Sequence, residues 1–178
     1  MNIALRFLLA LSVAFAVTAC KSTPEPTPDP VEEPQEVTPV EEPVVTVAAP
    51  DPRDYTDVRN FDNSESLLSK RVIYFDFDKS NVKAEYRGII SAHAAYMASH
   101  SSARVTLEGH ADERGTREYN LGLGERRGNG VNGLLSAGGA MGSQLNVVSY
   151  GEERPVCRVS NDDCWWQNRR VEIVYTAR

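Results

Sequence analysis

The residues best able to do chemistry lie in one stretch. It reads Gly109-His110-Ala111-Asp112-Glu113-Arg114-Gly115-Thr116, then Glu118-Tyr119-Asn120-Leu121-Gly122-Leu123-Gly124-Glu125-Arg126-Arg127. Asp112 stands where a strand ends. Thr116 can cap the helix that follows, with Glu118 in its first turn. On that helix Asn120, Leu123, Arg127, Val131 and Leu134 recur at steps of three and four and share one stripe. An amide and a guanidinium on an otherwise apolar, inward-facing stripe need partners, because an unpaired buried charge is costly. Asp112 is the nearest anionic candidate for Arg127. Asp78, ending an earlier strand, reaches the same end of the sheet if the strands run parallel. Fixed charges of both signs in one cleft suit a zwitterionic amino-acid head: arginine grips a carboxylate bidentately and aspartate takes the ammonium. The same spacing fits an internal Asp112–Arg127 bridge that only joins loop to helix, and spacing leaves both readings open.

Catalysis is not expected. His110, Asp112 and Glu113 cluster, but a metal hydrolase needs further His or Cys ligands, and His93 and His100 both fall in the first helix. No activated serine or cysteine signature appears. His110 reads as a structural residue at a strand end and His93 as a satisfied core histidine. No cofactor or metal is expected.

The elements that must position these groups follow from periodicity. Val72–Asp78 alternates, with Ile73, Phe75 and Phe77 on one face, and is expected to be a strand. A helix is expected from about Val82 to Ser99, a strand over Arg104–Gly109, and a helix from Glu118 to about Ser136. A strand over Leu145–Tyr150, a short helix over Asp162–Arg169 and a strand over Val171–Tyr175 complete the domain. The order βαβαβ(α)β predicts an α/β, two-layer α+β sandwich with a mixed sheet and helices on one face.

Composition divides the rest of the chain. Of 178 residues with net charge −6, residues 21–69 carry twelve acidic side chains against three basic, whereas residues 70–178 carry thirteen against fifteen. The acidity belongs to a tether. Neither part has the basic footprint of a nucleic-acid binder. Nine of the ten prolines lie between Pro24 and Pro52, and all twelve glycines lie from Gly88 onward. Residues 1–19 read as a signal peptide: Arg6, an apolar run from Phe7 to Val17, then Val17-Thr18-Ala19-Cys20 in the manner of a bacterial lipobox. Cys20 is the expected lipidation site, carrying N-palmitoyl and S-diacylglycerol groups. Two or more acyl chains, at ~0.8 kcal/mol per buried CH₂, anchor a protein durably. Residues 20–66 are then a lipidated cysteine and a disordered spacer, with a reach of at most about 140 Å at ~3.1 Å per residue. Residues 67–178 are the folded domain. An exported domain meets an oxidising compartment, so Cys157 and Cys164 are expected to form a disulfide. Trp165 and Trp166 read as a lid on the core. Arg169 and Arg170 read as a solvated helix end or a sheet-bracing pair, with anionic polymer as the functional alternative.

Phe75-Asp76-Phe77-Asp78, the Gly109–Gly115 loop, Asn120…Leu123…Glu125-Arg126-Arg127 and Asn168-Arg169-Arg170 together resemble the OmpA-like, peptidoglycan-binding domain family over about residues 70–178. With its lipobox and linker, the whole chain resembles the lipoprotein members of that family. The resemblance implies that Asp112 and Arg127 hold the α-amino-carboxylate of meso-diaminopimelate in a peptidoglycan stem peptide. It implies that Asp78, Phe77, Asn120 and Leu123 line the pocket. It further implies a domain facing the periplasm from the outer membrane and a role in the Tol–Pal envelope system and cell division. The implied partners are TolB and other Tol–Pal proteins, with OmpA-type proteins as further candidates. A scaffold that binds only periplasmic proteins is the alternative. Two features depart from the family pattern: the Cys157/Cys164 pair, and the run Gly128-Asn129-Gly130-Val131-Asn132-Gly133, which predicts a softer helix.

Overall fold

Alternation along the strands sets the core. In the computed structural model, which describes residues 48–178, Ile73, Val105, Leu107, Val171 and Ile173 all turn one way and are buried. They cluster with Ile90 and Met97 of one helix and Val131 and Leu135 of another. Each such side chain, fully buried, contributes ~1.5–3 kcal/mol. The elements run β1 (Val72–Tyr74), α1 (Arg87–Ser99), β2 (Arg104–His110), α2 (Arg117–Ala137), β3 (Leu145–Gly151), α3 (Asp162–Asn168) and β4 (Arg170–Ala177). The sheet order is β1-β4-β2-β3. β4 is antiparallel to both β1 and β2, while β2 and β3 run parallel. The architecture is the mixed-sheet α/β sandwich that the pattern predicts. β1 and β2 therefore point the same way, and the loops after them emerge at one end of the sheet.

Glycine decides how closely α2 lies on that sheet. A Cβ placed on Gly109 of β2 would fall 2.0 Å from the Gly124 carbonyl oxygen, and one on Gly124 would fall 2.4 Å from Ser149 Oγ. Gly128 likewise faces Val147 Cγ1 at 2.6 Å. Gly128 is thus a packing contact and not merely a weak point of the helix, whereas a Cβ on Gly133 would meet open space. Backbone-to-backbone approach here brings Arg127, the residue before Gly128, under the end of β2.

Two expectations differ from the structure. β1 stops at Tyr74, one further ladder bond being made by Phe75 N to the Arg169 carbonyl at 2.8 Å. β4 begins at Arg170 and offers no partner beyond this point, so the chain turns, with Asp78 at φ 55°. Phe77 consequently leaves the inner face and is 53% exposed. The domain also begins earlier than residue 67. Phe61 is buried, edge-on to Tyr96 and Tyr175 at 4.8 and 4.7 Å. The Asn60 amide donates to the carbonyls of Asp51 and Asp54. One aromatic anchor and one satisfied buried amide hold an otherwise acidic segment on the core. The signal peptide, Cys20 and the spacer up to residue 47 lie outside the described residues.

His93 is a satisfied core histidine: its ring nitrogens meet Tyr175 Oη at 3.0 Å and the Lys70 carbonyl at 2.9 Å. Burial, foremost, lowers its pKa to about 4.

Candidate functional site

Where β1, β2 and α2 converge, the loops after the two strands enclose a cleft of about 210 Å³. Asp78, Phe77, Asp112, Asn120, Leu123 and Arg127 all line it, as do Arg114, Gly115, Tyr119 and Arg169. The last four were missed as site residues by the sequence reading. Arg114 and Arg169 lay inside motifs already singled out, and Tyr119 stands beside Asn120, so proximity in sequence was a usable signal. Three guanidiniums face two carboxylates.

The floor is Arg127. Its side chain is fully buried and meets no carboxylate among the described residues. Nε donates to the Lys79 carbonyl at 2.9 Å, Nη1 to that of His110 at 2.7 Å and Nη2 to that of Asp76 at 3.1 Å. Burial, then the nearby Arg169, lower its pKa to about 10. Three of its five N–H groups are committed, and all three acceptors are backbone. The internal Asp112–Arg127 bridge, one of the two readings the spacing leaves open, does not form. The turn after β1 and the end of β2 place three backbone carbonyls within reach, and these hold the cation instead.

Asp112 is taken by other partners. Its Oδ1 accepts from Arg114 N and Nε, both at 3.2 Å; its Oδ2 accepts from Arg114 Nη2 at 2.7 Å and Arg169 Nη1 at 3.1 Å. A carboxylate has about four lone-pair sites, so Asp112 is saturated. Burial pushes its pKa up, but the hydrogen bonds from Arg114 and Arg169 outweigh burial, and the net shift is downward. Arg169 also donates from Nε to the Phe75 carbonyl at 3.1 Å, bracing β1 against the site. Arg170 is buried too, with Nε 2.6 Å from Glu172 Oε1. Both arginines brace the sheet and neither is a solvated helix end.

Aromatic rings make the wall. The Arg114 guanidinium lies between two ring faces, 4.0 Å from the Phe77 centroid and 4.1 Å from that of Trp165. Trp165 is therefore not a lid on the core, and Trp166 is exposed, edge-on to Tyr74. At the mouth the Tyr119 hydroxyl donates to Asp78 Oδ1, and that bond raises the tyrosine's pKa. Asn120, buried, donates from Nδ2 to the Arg114 carbonyl and to Glu152 Oε2. It ties the loop to the start of α2, whose cap is Thr116 as expected, accepting from Tyr119 N at 3.2 Å. Cys157 and Cys164 are disulfide-bonded. His110 turns its ring away from the cleft toward Tyr150, with centroids 5.6 Å apart. Neither of its nitrogens has a hydrogen-bond partner among the described residues. Burial, then Arg170, lower its pKa to about 4.

The geometry has counterparts. Residues 74–169 match the model of the OmpA family. The peptidoglycan-associated lipoprotein of Pasteurella multocida is 44% identical over 103 residues, covering 58% of this chain and 69% of that protein. That of Pseudomonas aeruginosa is 46% identical over 108 residues, covering 61% and 64%. The chain thus spans about two thirds of the length of these relatives. The crystal structure of the peptidoglycan-associated lipoprotein from Burkholderia pseudomallei superposes with TM-score 0.64 at 40% identity, over 65% of this chain and 98% of that one. The C-terminal domain of Helicobacter pylori MotB, 19% identical with TM-score 0.55, shares the fold.

Proposed function

The chain belongs to the OmpA family, and from that premise we propose that it binds peptidoglycan non-covalently, holding the amino-carboxylate head of meso-diaminopimelate in the cleft beneath Phe77. The observation that carries this reading is the charge pattern: three guanidiniums against two carboxylates, one of which, Asp112, is saturated. Such a cleft lacks one anion. An amino acid's carboxylate supplies it, accepting from the two N–H groups that Arg127 retains and from its arginine neighbours. The accompanying ammonium lies between Asp78, which keeps a free oxygen at the mouth, and the inner charge of Asp112. Asn120 and Leu123 shape the walls, Leu123 packing against the ligand's methylene stem.

One amino-acid head offers few atoms, so micromolar affinity is the natural scale. A lipid on Cys20 and the spacer raise the local concentration of wall sites. The full reading is a lipoprotein anchored in the outer membrane, its domain in the periplasm, tethering membrane to wall within the Tol–Pal system during cell division, with TolB as a partner. It is a binder and not an enzyme.

The test is retention on purified sacculi. The wild-type chain is expected to sediment with the wall, free meso-diaminopimelate muropeptide to compete it off, and Asp78→Asn and Asp112→Asn to lose most of the retention. A scaffold that binds only proteins does not sediment, and a hydrolase releases soluble muropeptides. Either result overturns the reading.

A further inference from the structure

Trp165 touches no cleft charge except through Arg114, and nothing in the binding scheme above uses it or the disulfide next to it. We propose that Trp165 is a positioning residue: the Cys157–Cys164 bond and α3 hold its ring as a buttress that keeps Arg114 stacked at the cleft mouth, and so set affinity for the diamino-acid head. The inference rests on the wall-binding reading.

Three observations carry it. First, Arg114 is fixed on both faces, by Phe77 at 4.0 Å and Trp165 at 4.1 Å, while its edge holds Asp112. Phe77 is half-exposed and sits on a turn, so Trp165 is the firmer face. Second, the indole is fastened in turn, Nε1 donating to Glu113 Oε1 at 2.9 Å. Third, α3 has only seven residues, far below the ~12–15 at which an isolated helix becomes even marginal. Its place therefore comes from its fastenings. At its C-terminal end the Asn168 amide accepts from Val156 N and Cys157 N and donates to the Cys157 carbonyl. At its N-terminal end Asn161 caps Cys164 N at 3.0 Å, and buried Cys164 is bonded to Cys157.

Cutting the disulfide leaves the Asn168 end tied and frees the end that carries Trp165. Arg114 then has one stacked face, samples more rotamers and must be ordered again when ligand binds, which weakens affinity. Reduction by a dithiol such as dithiothreitol balances simply. The S–S bond takes two electrons and two protons to give two thiols, and the reagent closes into its own cyclic disulfide.

The experiment titrates the full chain with a soluble disaccharide-tripeptide carrying meso-diaminopimelate, with a melting curve for every sample. Trp165→Leu is expected to weaken binding roughly tenfold, the scale of a lost partly desolvated cation–π contact, with melting unchanged within a few degrees. Trp165→Phe, which keeps a ring, stays within about threefold of wild type. Dithiothreitol weakens the wild type as much as the double substitution Cys157→Ser, Cys164→Ser does, and leaves that double variant unaffected. If Trp165→Leu and the double variant both bind like wild type, the buttress is overturned and the wall reading stands. Equal losses in Leu and Phe variants, or losses that track unfolding, also overturn it. Absence of binding by the oxidised wild type overturns both.

Discussion

The floor and the wall of the cleft each hold a guanidinium still, by different means. Arg127, on the floor, is wholly buried and tied to three backbone carbonyls. Arg114, in the wall, is partly exposed and held by two ring faces and the carboxylate of Asp112, with Asp162 Oδ1 3.8 Å from its Nη1. Backbone acceptors belong to the fold itself: they stay whether or not ligand is present, and the buried carbonyl of His110 loses its guanidinium donor if the cation goes. Rings and a carboxylate are side chains that other groups can replace. The floor should therefore govern folding and the wall should govern recognition.

The largest effect that would break this contrast comes from exchanging the two losses. Arg127→Leu removes the donor that three backbone carbonyls share, and leaving the buried one, His110, unpaired costs ~1–3 kcal/mol, so a destabilisation of roughly 2–4 kcal/mol is expected by urea unfolding. Arg114→Gln leaves Asp112 the Arg169 guanidinium and the residue 114 backbone N–H, so it should cost about 1–2 kcal/mol in the same assay while abolishing most retention on sacculi. Equal stability losses in the two variants would erase the distinction.

A middle-sized effect tests what places the floor. Gly124→Ala forces a Cβ against Ser149 Oγ and the Gly109 carbonyl, so α2 must back away. The expected cost is about 1–3 kcal/mol, accompanied by weaker muropeptide binding because Arg127 moves with the helix. Gly133→Ala, on the same helix with open space around it, should instead stabilise by up to ~1 kcal/mol. If both alanines stabilise, the close approach of α2 to β2 is not what positions Arg127.

The smallest effect is a pH dependence. His110 gives its carbonyl to Arg127 but buries its ring, and its pKa falls to about 4, as does that of His93. A histidine held neutral in the fold binds a proton more readily once unfolded. Its contribution is thus fully present above the unfolded value of ~6.5 and is lost as pH falls from there toward about 4. The slope is at most ~1.4 kcal/mol per pH unit per histidine. His110→Gln should flatten the acid limb of unfolding measured between pH 4 and 6.5; an unchanged slope would remove His110 from the account. Asp112 works in the same direction at lower pH. Its depressed pKa means stability present above the ordinary carboxylate value and lost as pH drops through the folded one.

Much of this molecule was legible without coordinates. Alternation located the strands, Thr116 marked the start of α2, and the stripe of Asn120, Leu123 and Arg127 lies along one cleft at one end of the sheet. What misled was local pattern continued past its support. Phe77 keeps the phase of Ile73 and Phe75, yet β4 offers no ladder that far. Phe61 and Asn60 sit in an acidic, proline-flanked segment whose average says disorder, while the two side chains by themselves find the core. Gly124 and Gly128 look like helix weaknesses until β2 and β3 are laid against them.

Composition and spacing by themselves determined the class of fold and named three of the five charges that share the cleft, Asp78, Asp112 and Arg127. Only tertiary structure decided who holds whom. Arg127 could choose between a carboxylate and backbone carbonyls, and Asp112 between three arginines. Such choices depend on distances of a few ångström between segments far apart in the chain, which periodicity along one segment does not encode. Carbonyls of the turn after β1 and of the end of β2 took one arginine, and the aspartate went to the two that remained.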